Sequence, residues 1–162
     1  MGTRGRIGVQ HGNVIKSIYV HWDSYIEGVG SILQAHYDSA RANQLVSLGD
    51  MSSLGAKIGE KHPFSEFELD KTSPDHADDL ARVRLARAED WCKFYGRDRG
   101  EQDVSWQVAH TFEEFLEQVE ACGAEYYYVM QDGVWYTGCP DKGSPLVALS
   151  EALEAVAQEA AV

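Results

Sequence analysis

The chain has 162 residues, 44% of them hydrophobic, and carries a formal net charge of −12. This length suits one domain whose core needs no disulfide or metal, and the absence of a run of about 20 apolar residues argues against a membrane-spanning helix. Three cysteines without CxxC spacing argue against a disulfide framework and a cysteine zinc site. No apolar run follows the N-terminal arginines, so no signal peptide is expected. We therefore expect a cytoplasmic protein without a cofactor.

The negative charge is concentrated in the C-terminal part of the chain. Residues 1–100 carry 13 Lys/Arg against 14 Asp/Glu, a net of −1, whereas residues 101–162 carry 12 Asp/Glu and one lysine, a net of −11. Direct binding to nucleic acid is disfavoured, because phosphate contacts need clustered Lys and Arg. Either an ordinary solvated face or a surface for a basic protein partner fits this charge.

The N-terminal part predicts a β-hairpin followed at once by a helix. Residues 6–10 alternate weakly, residues 14–22 are rich in β-branched and aromatic residues, and H-G-N lies between them as a turn. Alternation along the second strand places Ser17, Tyr19 and His21 together on the more polar face.

A capping box opens the helix predicted over residues 25–37. Ser24 and Glu27 have the spacing at which a hydroxyl and a carboxylate reciprocally cap the first turn. Gly28 and Gly30 in the first turns indicate either that another backbone passes close by or that this turn is weakly formed.

The middle of the chain combines one further helix with a long irregular segment. Asp38-Ser39 predicts a helix over residues 40–48, which Gly49 ends. The Gly-, Pro- and Ser-punctuated residues 49–74 predict a long surface excursion. Its aromatic residues, Phe64 and Phe67, suggest that part of it packs against the domain.

The remaining pattern completes an α+β domain. Helices are predicted over residues 75–88, 112–121 and 146–161, with short extended segments at 91–95 and 104–109. Thr111 and Glu114 have the spacing of a second capping box at the start of the helix over 112–121. A hairpin is predicted at 125–130 and 134–137, with Asp132-Gly133 as its two-residue turn. We therefore predict one α+β domain spanning residues 1–162, with an antiparallel sheet built from an N-terminal and a C-terminal hairpin and covered by helices, mainly on one face.

Several segments stand out as motifs: R-G-R-I-G-V-Q, Y-V-H-W-D-S-Y-I-E-G-V-G with a later L-x-x-H-Y, L-V-S-L-G-D-M-S-S-L-G, F-Y-G-R-D-R-G-E and D-G-V-W-Y. Together they resemble a family of small uncharacterised proteins of tailed bacteriophages and some bacterial genomes. The resemblance covers most of residues 4–61 and 94–101. It implies a phage or prophage setting and no known activity, so no catalytic residue is carried over from it.

The densest group of candidate catalytic side chains lies where the hairpin meets the first helix. His21, Asp23 and Glu27 are weak catalytic candidates there, since side chains converge where a strand feeds a helix. His21, Asp23 and the later His36 are weak metal-ligand candidates. Against this interpretation, Glu27 is expected to cap the helix, and the chain has no H-E-x-x-H spacing. A structural role for these residues is favoured.

A second charged group lies at residues 97–101. Arg97, Asp98 and Arg99 with Glu101 suit either binding of a phosphate or carboxylate by guanidinium groups or a turn whose charges pair with each other. The self-paired turn is favoured.

The C-terminal part supplies the partner-binding candidates. Outward glutamates of the helix over 112–121 and the aromatic hairpin that follows suit either a protein-binding surface or ordinary core and surface. The residues expected to bind a partner are Glu113, Glu117, Glu120, Tyr127, Asp132 and Trp135.

Three functions are compatible with these patterns. The favoured one is a phage-type acidic binding protein that contacts the basic surface of a host nucleic-acid-handling defence protein and so inhibits or modulates it, in the host cytoplasm. The alternatives are a small metal-dependent hydrolase or nuclease using His21 and Asp23, and a minor virion or assembly protein that forms a homo-oligomer.

Overall fold

The computed structural model describes residues 2–140 and 144–161, which form a single α+β domain. Its strands are β1 Gly5–His11, β2 Val14–Val20, β3 Met51–Ser53, β4 Lys93–Phe94, β5 Gln107–Ala109, β6 Tyr126–Gln131, β7 Val134–Gly138 and β8 Val147–Ala148. Among the described residues these strands make one sheet in the order β4-β3-β2-β1-β6-β7-β8, with β5 also pairing with β2.

The helices follow the predicted order, with one addition. A π-helical turn, Ile26–Gly30, runs directly into the first α-helix, and a 3₁₀ turn, Glu66–Glu68, lies within the irregular segment. The α-helices are α1 Ser31–His36, α2 Ser39–Ser47, α3 His76–Ala88, α4 Tyr95–Arg99, α5 Phe112–Ala121 and α6 Leu149–Ala160. The added helix is the short α4, which occupies residues that the sequence predicts as a turn. No helix of the described residues is long and apolar enough to cross a membrane.

Both predicted hairpins are confirmed, but the sheet that joins them is mixed. Strands β1 and β2 pair antiparallel, as do β6 and β7 across Asp132-Gly133, whose φ angles of 49° and 81° suit a two-residue hairpin turn. The hairpins meet through β1 and β6, which are parallel, and β2 is parallel to β3. The prediction of an antiparallel sheet is wrong at these two pairs, because long connections leave strand direction free where a tight turn does not.

Helices cover both faces of the sheet. Tyr128 and Met130 point into an apolar cluster with α1, α2 and α6, whereas Tyr127 and Val129 point into a second cluster with α5. The prediction of cover mainly on one face is therefore wrong. The alternation of strand side chains explains the result, because the apolar run in β6 supplies buried residues to both faces.

The predicted capping box at the start of the first helix does not form. The Ser24 hydroxyl is buried without a hydrogen-bond partner, and no side chain caps the turn that begins at Ile26. The backbone instead closes on itself: Asp23 has a φ of 57°, and its carbonyl accepts the Val29 amide at 2.9 Å. A tight loop, rather than a capped helix, therefore connects strand β2 to α1.

Caps predicted elsewhere are present. Asp38 accepts the Arg41 amide at the start of α2, and Thr111 accepts the Glu114 amide at 3.0 Å at the start of α5. The Glu114 carboxylate accepts the His110 amide, one residue before the cap that the sequence predicts it to reach. Helix α5 occupies its predicted residues.

The irregular segment over residues 49–74 is anchored by buried charges. His62 is 3% exposed, and its amide donates to Asp98 of α4. Asp98 also accepts from the Phe94 amide at 2.8 Å and from the Arg97 guanidinium at 2.9 Å. Phe64 stacks on Tyr95, at 5.7 Å between ring centroids. The segment is long and irregular, as predicted, and is fastened to the sheet at these points.

The tight loop predicts a steric requirement at Gly28. A Cβ there would lie 2.2 Å from the Asp23 carbonyl oxygen, a contact that only a backbone shift relieves. We expect Gly28→Ala to lower the free energy of unfolding by about 1–3 kcal/mol, measured by urea denaturation. Gly30→Ala is the control, since its Cβ would meet side-chain atoms of Leu149 and Tyr128 at 3.2 Å. Equal losses in the two variants would contradict the close approach.

The buried carboxylate predicts a large loss on truncation. Asp98→Ala removes the carboxylate that pairs with the largely buried Arg97 guanidinium and that accepts two backbone amides. We expect it to lower the free energy of unfolding by about 3–5 kcal/mol. Glu68→Ala, which removes an exposed ion pair with Arg99, should cost about 1 kcal/mol or less. A small loss for Asp98→Ala in the same chemical denaturation would show that the anchor is not needed.

Candidate functional sites

The candidate catalytic residues at the strand-to-helix junction do not form one site in the structure. The His21 Nδ1 atom is 2.7 Å from the Tyr19 hydroxyl, and its ring meets Trp22 edge-on at 4.8 Å. Asp23 is exposed in the left-handed turn, and Glu27 is exposed without capping the helix. Of the three candidates, His21 alone is held by neighbouring side chains.

Nothing in the described residues assembles the predicted metal ligands. Residues 2–140 and 144–161 contain no group of three or more His, Cys, Asp or Glu side chains placed to hold a metal ion. His36 lines a groove of 480 Å³ with Tyr37, Asp38 and Arg41, at the far end of α1. No observation therefore favours His21, Asp23 and His36 as ligands of one ion.

Four of the six residues expected to bind a partner lie on the surface. Glu113, Glu117 and Glu120 are exposed along one side of α5, opposite the buried Phe115 and Val119. Asp132 is exposed in the β6–β7 turn.

The two aromatic candidates are wrong as surface residues. Tyr127 is 2% exposed and meets the Phe115 ring edge-on, and Trp135 is 4% exposed with its Nε1 donating to the Tyr37 carbonyl at 2.9 Å. Because both faces of the hairpin are covered, neither side chain is available to a partner. The alternative interpretation, core packing, is confirmed for them.

The charged group at residues 97–101 pairs with its own neighbours. Arg97 Nε donates to Asp98 at 2.9 Å, and Arg99 pairs with Glu68 at 2.7 Å and with Glu101 at 3.5 Å. The favoured self-paired interpretation holds, with Glu68 as a partner that the local sequence does not reveal. These guanidinium groups already have carboxylate acceptors.

The carboxylates of α5 differ from those in the middle of the chain. Every ion pair of the described residues uses a carboxylate between residues 60 and 101, and none uses a described carboxylate beyond Glu101. Lys142, the lone basic residue of the C-terminal part, lies outside the described residues. Helix α6 packs on the other face of the sheet, so the glutamates of α5 and those of α6 lie on opposite sides of the domain.

A third group of residues, which we call the polar sheet face, lies beside α5. On the α5 side of the sheet, strand register places ionisable and hydroxyl side chains next to each other across four strands. One row crosses β1 to the end of β4, and a second row lies one step along the strands. The first row is Arg6 opposite Tyr19, continued by Asp50 directly before β3 and Tyr95 directly after β4. Extending the same register gives the second row, which is Arg4, His21 and Ser52.

Hydrogen bonds hold the first row in place. Arg6 is 2% exposed, and its Nε donates to the Ser17 hydroxyl at 2.7 Å while Nη2 donates to the Gln107 side-chain oxygen at 2.8 Å. The Asp50 carboxylate accepts the Tyr19 amide at 2.9 Å. Tyr19 lies between Ser17, where the pairing of β2 with β5 ends, and Val20, where the pairing of β2 with β3 begins. These hydrogen bonds hold the Arg6 and Asp50 side chains of the first row in fixed positions.

Burial and neighbouring charges perturb the ionisation of this face. Burial raises the pKa of Asp50, against the opposing effects of the Tyr19 amide and the Arg6 charge. Burial also raises the pKa of Tyr19, which the Arg4 charge opposes, and the pKa of Tyr95, which a hydrogen bond from Ser52 opposes. The groups of the two rows are therefore close enough to interact electrostatically.

The sequence shows only part of this face. Alternation in β2 places Tyr19 and His21 together, and the R-x-R spacing of Arg4 and Arg6 is the matching signal in β1. Ser52 lies in β3, and Asp50 and Tyr95 lie directly beside β3 and β4, strands of three and two residues that are too short for a periodic pattern. Their alignment depends on long-range pairing that no local pattern encodes.

In comparisons with known proteins, no family model, curated protein or solved structure matches this chain. The resemblance to phage proteins therefore stays a prediction from the motifs.

Asp50 predicts a pH-dependent effect on stability. Because its folded-state pKa is raised, the carboxylate stabilises the fold most when protonated, and this contribution falls as pH rises from about 4, the unfolded value, through the folded pKa. Asp50→Asn keeps an oxygen for the Tyr19 amide and removes the charge. We expect the variant to gain stability relative to the parent as pH rises through that window, in urea unfolding across a pH series. A difference that does not change with pH would contradict the raised pKa.

Proposed function

We propose that this protein binds a basic protein surface through the outer side of α5, and that its target is a host protein that handles nucleic acid. The observation that carries the proposal is the row formed by Glu113, Glu117 and Glu120, exposed on one helix and without ion pairs among the described residues.

The row is geometrically suited to a surface that carries several cations. Its members are four and three residues apart, so they lie on the same side of the helix at successive turns, about 6 and 4.5 Å apart along its axis. Phe115 and Val119 fix the opposite side of α5 in the core. A partner would therefore meet a rigid row and lose little conformational entropy in the helix.

The electrostatics favour a basic partner over a neutral one. Like charges at successive turns repel each other, and no described cation compensates them. Lys and Arg on a partner would relieve this repulsion, speed association and select against acidic surfaces. The exposed Phe112 at the start of α5 adds apolar area beside the row.

Two arguments support the class of the target. Proteins that bind nucleic acid present clustered Lys and Arg to phosphates, and carboxylates in a row compete for the same side chains. The resemblance of the motifs implies a phage setting, in which a host defence protein of this kind is the expected target. An inhibitor acting in this way would bind the target and exclude its nucleic acid.

Charge reversal on α5 tests the proposal against a matched control. The variant Glu113→Lys/Glu117→Lys/Glu120→Lys should lose capture of its target from host lysate, whereas Glu151→Lys/Glu154→Lys/Glu159→Lys on α6 should retain it. Both triple variants change the net charge by +6, so an effect of total charge alone would appear in both. The captured protein is identified and quantified by mass spectrometry.

Salt and nucleic acid provide the second half of this test. Capture should weaken as the Debye length falls from about 10 Å at 0.1 M salt to about 3 Å at 1 M. Added duplex DNA should displace the protein from the purified target. Capture that resists both salt and α5 charge reversal would overturn the proposed surface, and capture that DNA leaves unchanged would overturn the proposed class of target.

A further inference from the structure

We propose that two copies of this chain associate about a two-fold axis, each copy inserting the Phe67 ring into a groove beside α3 of the other. This contact surface lies on the irregular segment and α3, separate from the α5 row, and it does not depend on the proposed function.

Phe67 is the most exposed large apolar side chain of the described residues. It is 98% exposed in the 3₁₀ turn Glu66–Glu68, and the next in order is Leu85 at 47%. The expectation that aromatic residues of this segment pack against the domain therefore holds for Phe64 and is wrong for Phe67. Aromatic rings bury a large apolar area and act as anchors at protein interfaces. This ring is free to be buried by a partner.

The turn that carries Phe67 is fastened to the domain on both sides of the ring. Glu66 pairs with Arg84 of α3 at 3.2 Å, and Glu68 pairs with Arg99 of α4 at 2.7 Å. The two flanking side chains thus reach back to helices while the ring between them extends into solvent. A partner would meet a ring that is already positioned, which lowers the entropic cost of burying it.

A groove large enough for one aromatic ring lies next to Phe67. It has a volume of 210 Å³, and Val83 and Ala86, each 5% exposed, form part of its lining together with Pro63 and Trp91. An apolar cavity of about 150 Å³ is sufficient to hold benzene. Phe67 of the same chain lies at the rim of this groove and, being almost fully exposed, does not fill it.

The charge of the groove complements the carboxylates that flank Phe67. Lys93 lines the groove, and no carboxylate among residues 2–140 and 144–161 pairs with it. The other charged residues of the lining, which already have partners, are Glu66, Arg87 and Asp90. A ring that enters the groove with Glu68 beside it would bring negative charge to Lys93.

A second copy of the chain is the occupant that these features favour. Ring and groove lie on one continuous patch, so a single two-fold rotation inserts both rings at once and closes the assembly as a dimer. Residues 1–100, which contain the patch, carry a net charge of −1, whereas residues 101–162 carry −11. Association through this patch therefore keeps the acidic helices α5 and α6 out of the contact, where like charges would repel each other.

The test is sedimentation velocity over a series of protein concentrations. The parent should change from a species of 18.0 kDa to one of twice that mass as concentration rises. Phe67→Ala should weaken dimerisation about thirtyfold or more, as expected for truncation of an interface anchor. Lys93→Glu should also weaken it, because two carboxylates would then face each other. Val134→Ala is the control: this residue is 45% exposed in β7, towards the other end of the sheet, and its variant should dimerise as the parent does.

Crosslinking identifies what the ring contacts. Phe67 is replaced by p-benzoylphenylalanine, and isotope-labelled and unlabelled chains are mixed before illumination. Mass spectrometry should find crosslinks that join a labelled to an unlabelled chain through residues 83–93. A parent that stays monomeric at every concentration would overturn the proposal, as would a dimer that Phe67→Ala leaves unchanged or crosslinks to a different surface. Since Phe67 is exposed, Phe67→Ala should fold, and an unchanged urea unfolding curve of the monomer checks that.

Discussion

The parallel pairing of β1 with β6 is the constraint on which the rest of the structure depends. It joins two hairpins that are more than 100 residues apart in the chain, from Gly5 beside Tyr126 to Val9 beside Met130. Strands at the centre of a sheet need cover on both faces, and the alternation of β6 supplies apolar side chains to each. Helix α5, which immediately precedes β6, then covers one face while α1, α2 and α6 cover the other.

This arrangement decides which residues remain available for function. An aromatic hairpin read by itself offers Tyr127 and Trp135 to a partner, but inside a covered sheet both become core. What stays accessible on the α5 side is the outer side of that helix and the part of the sheet that the helix does not reach. Both the acidic row and the polar sheet face follow from the way in which α5 packs on this side of the sheet.

The sequence predicts correctly the elements that depend on contacts between nearby residues, and it fails where distant parts of the chain determine the structure. Thr111 with Glu114, and Asp132 with Gly133, define α5 and the second hairpin through contacts within four residues, and both elements are found where predicted. Ser24 with Glu27 has equally good spacing, yet the chain there closes through the Asp23 carbonyl and the buried Tyr128 hydroxyl, which donates to Ser24 O at 2.7 Å. Tertiary contacts replaced the local cap. The direction of β6, the second covered face and the alignment of Asp50 with Tyr19 are long-range results of the same kind.

The two surfaces also differ in how their charges are stabilised, which gives them different chemical roles. Glutamates on α5 are hydrated, so their interactions with a partner act over distance and weaken with salt. Arg6 lies under the sheet face in a medium of lower dielectric, where electrostatic interactions are stronger and are screened less by salt. A net charge of −12 repels free anions from the protein as a whole. With that net charge, the exposed glutamates of α5 are suited to attracting a large basic surface.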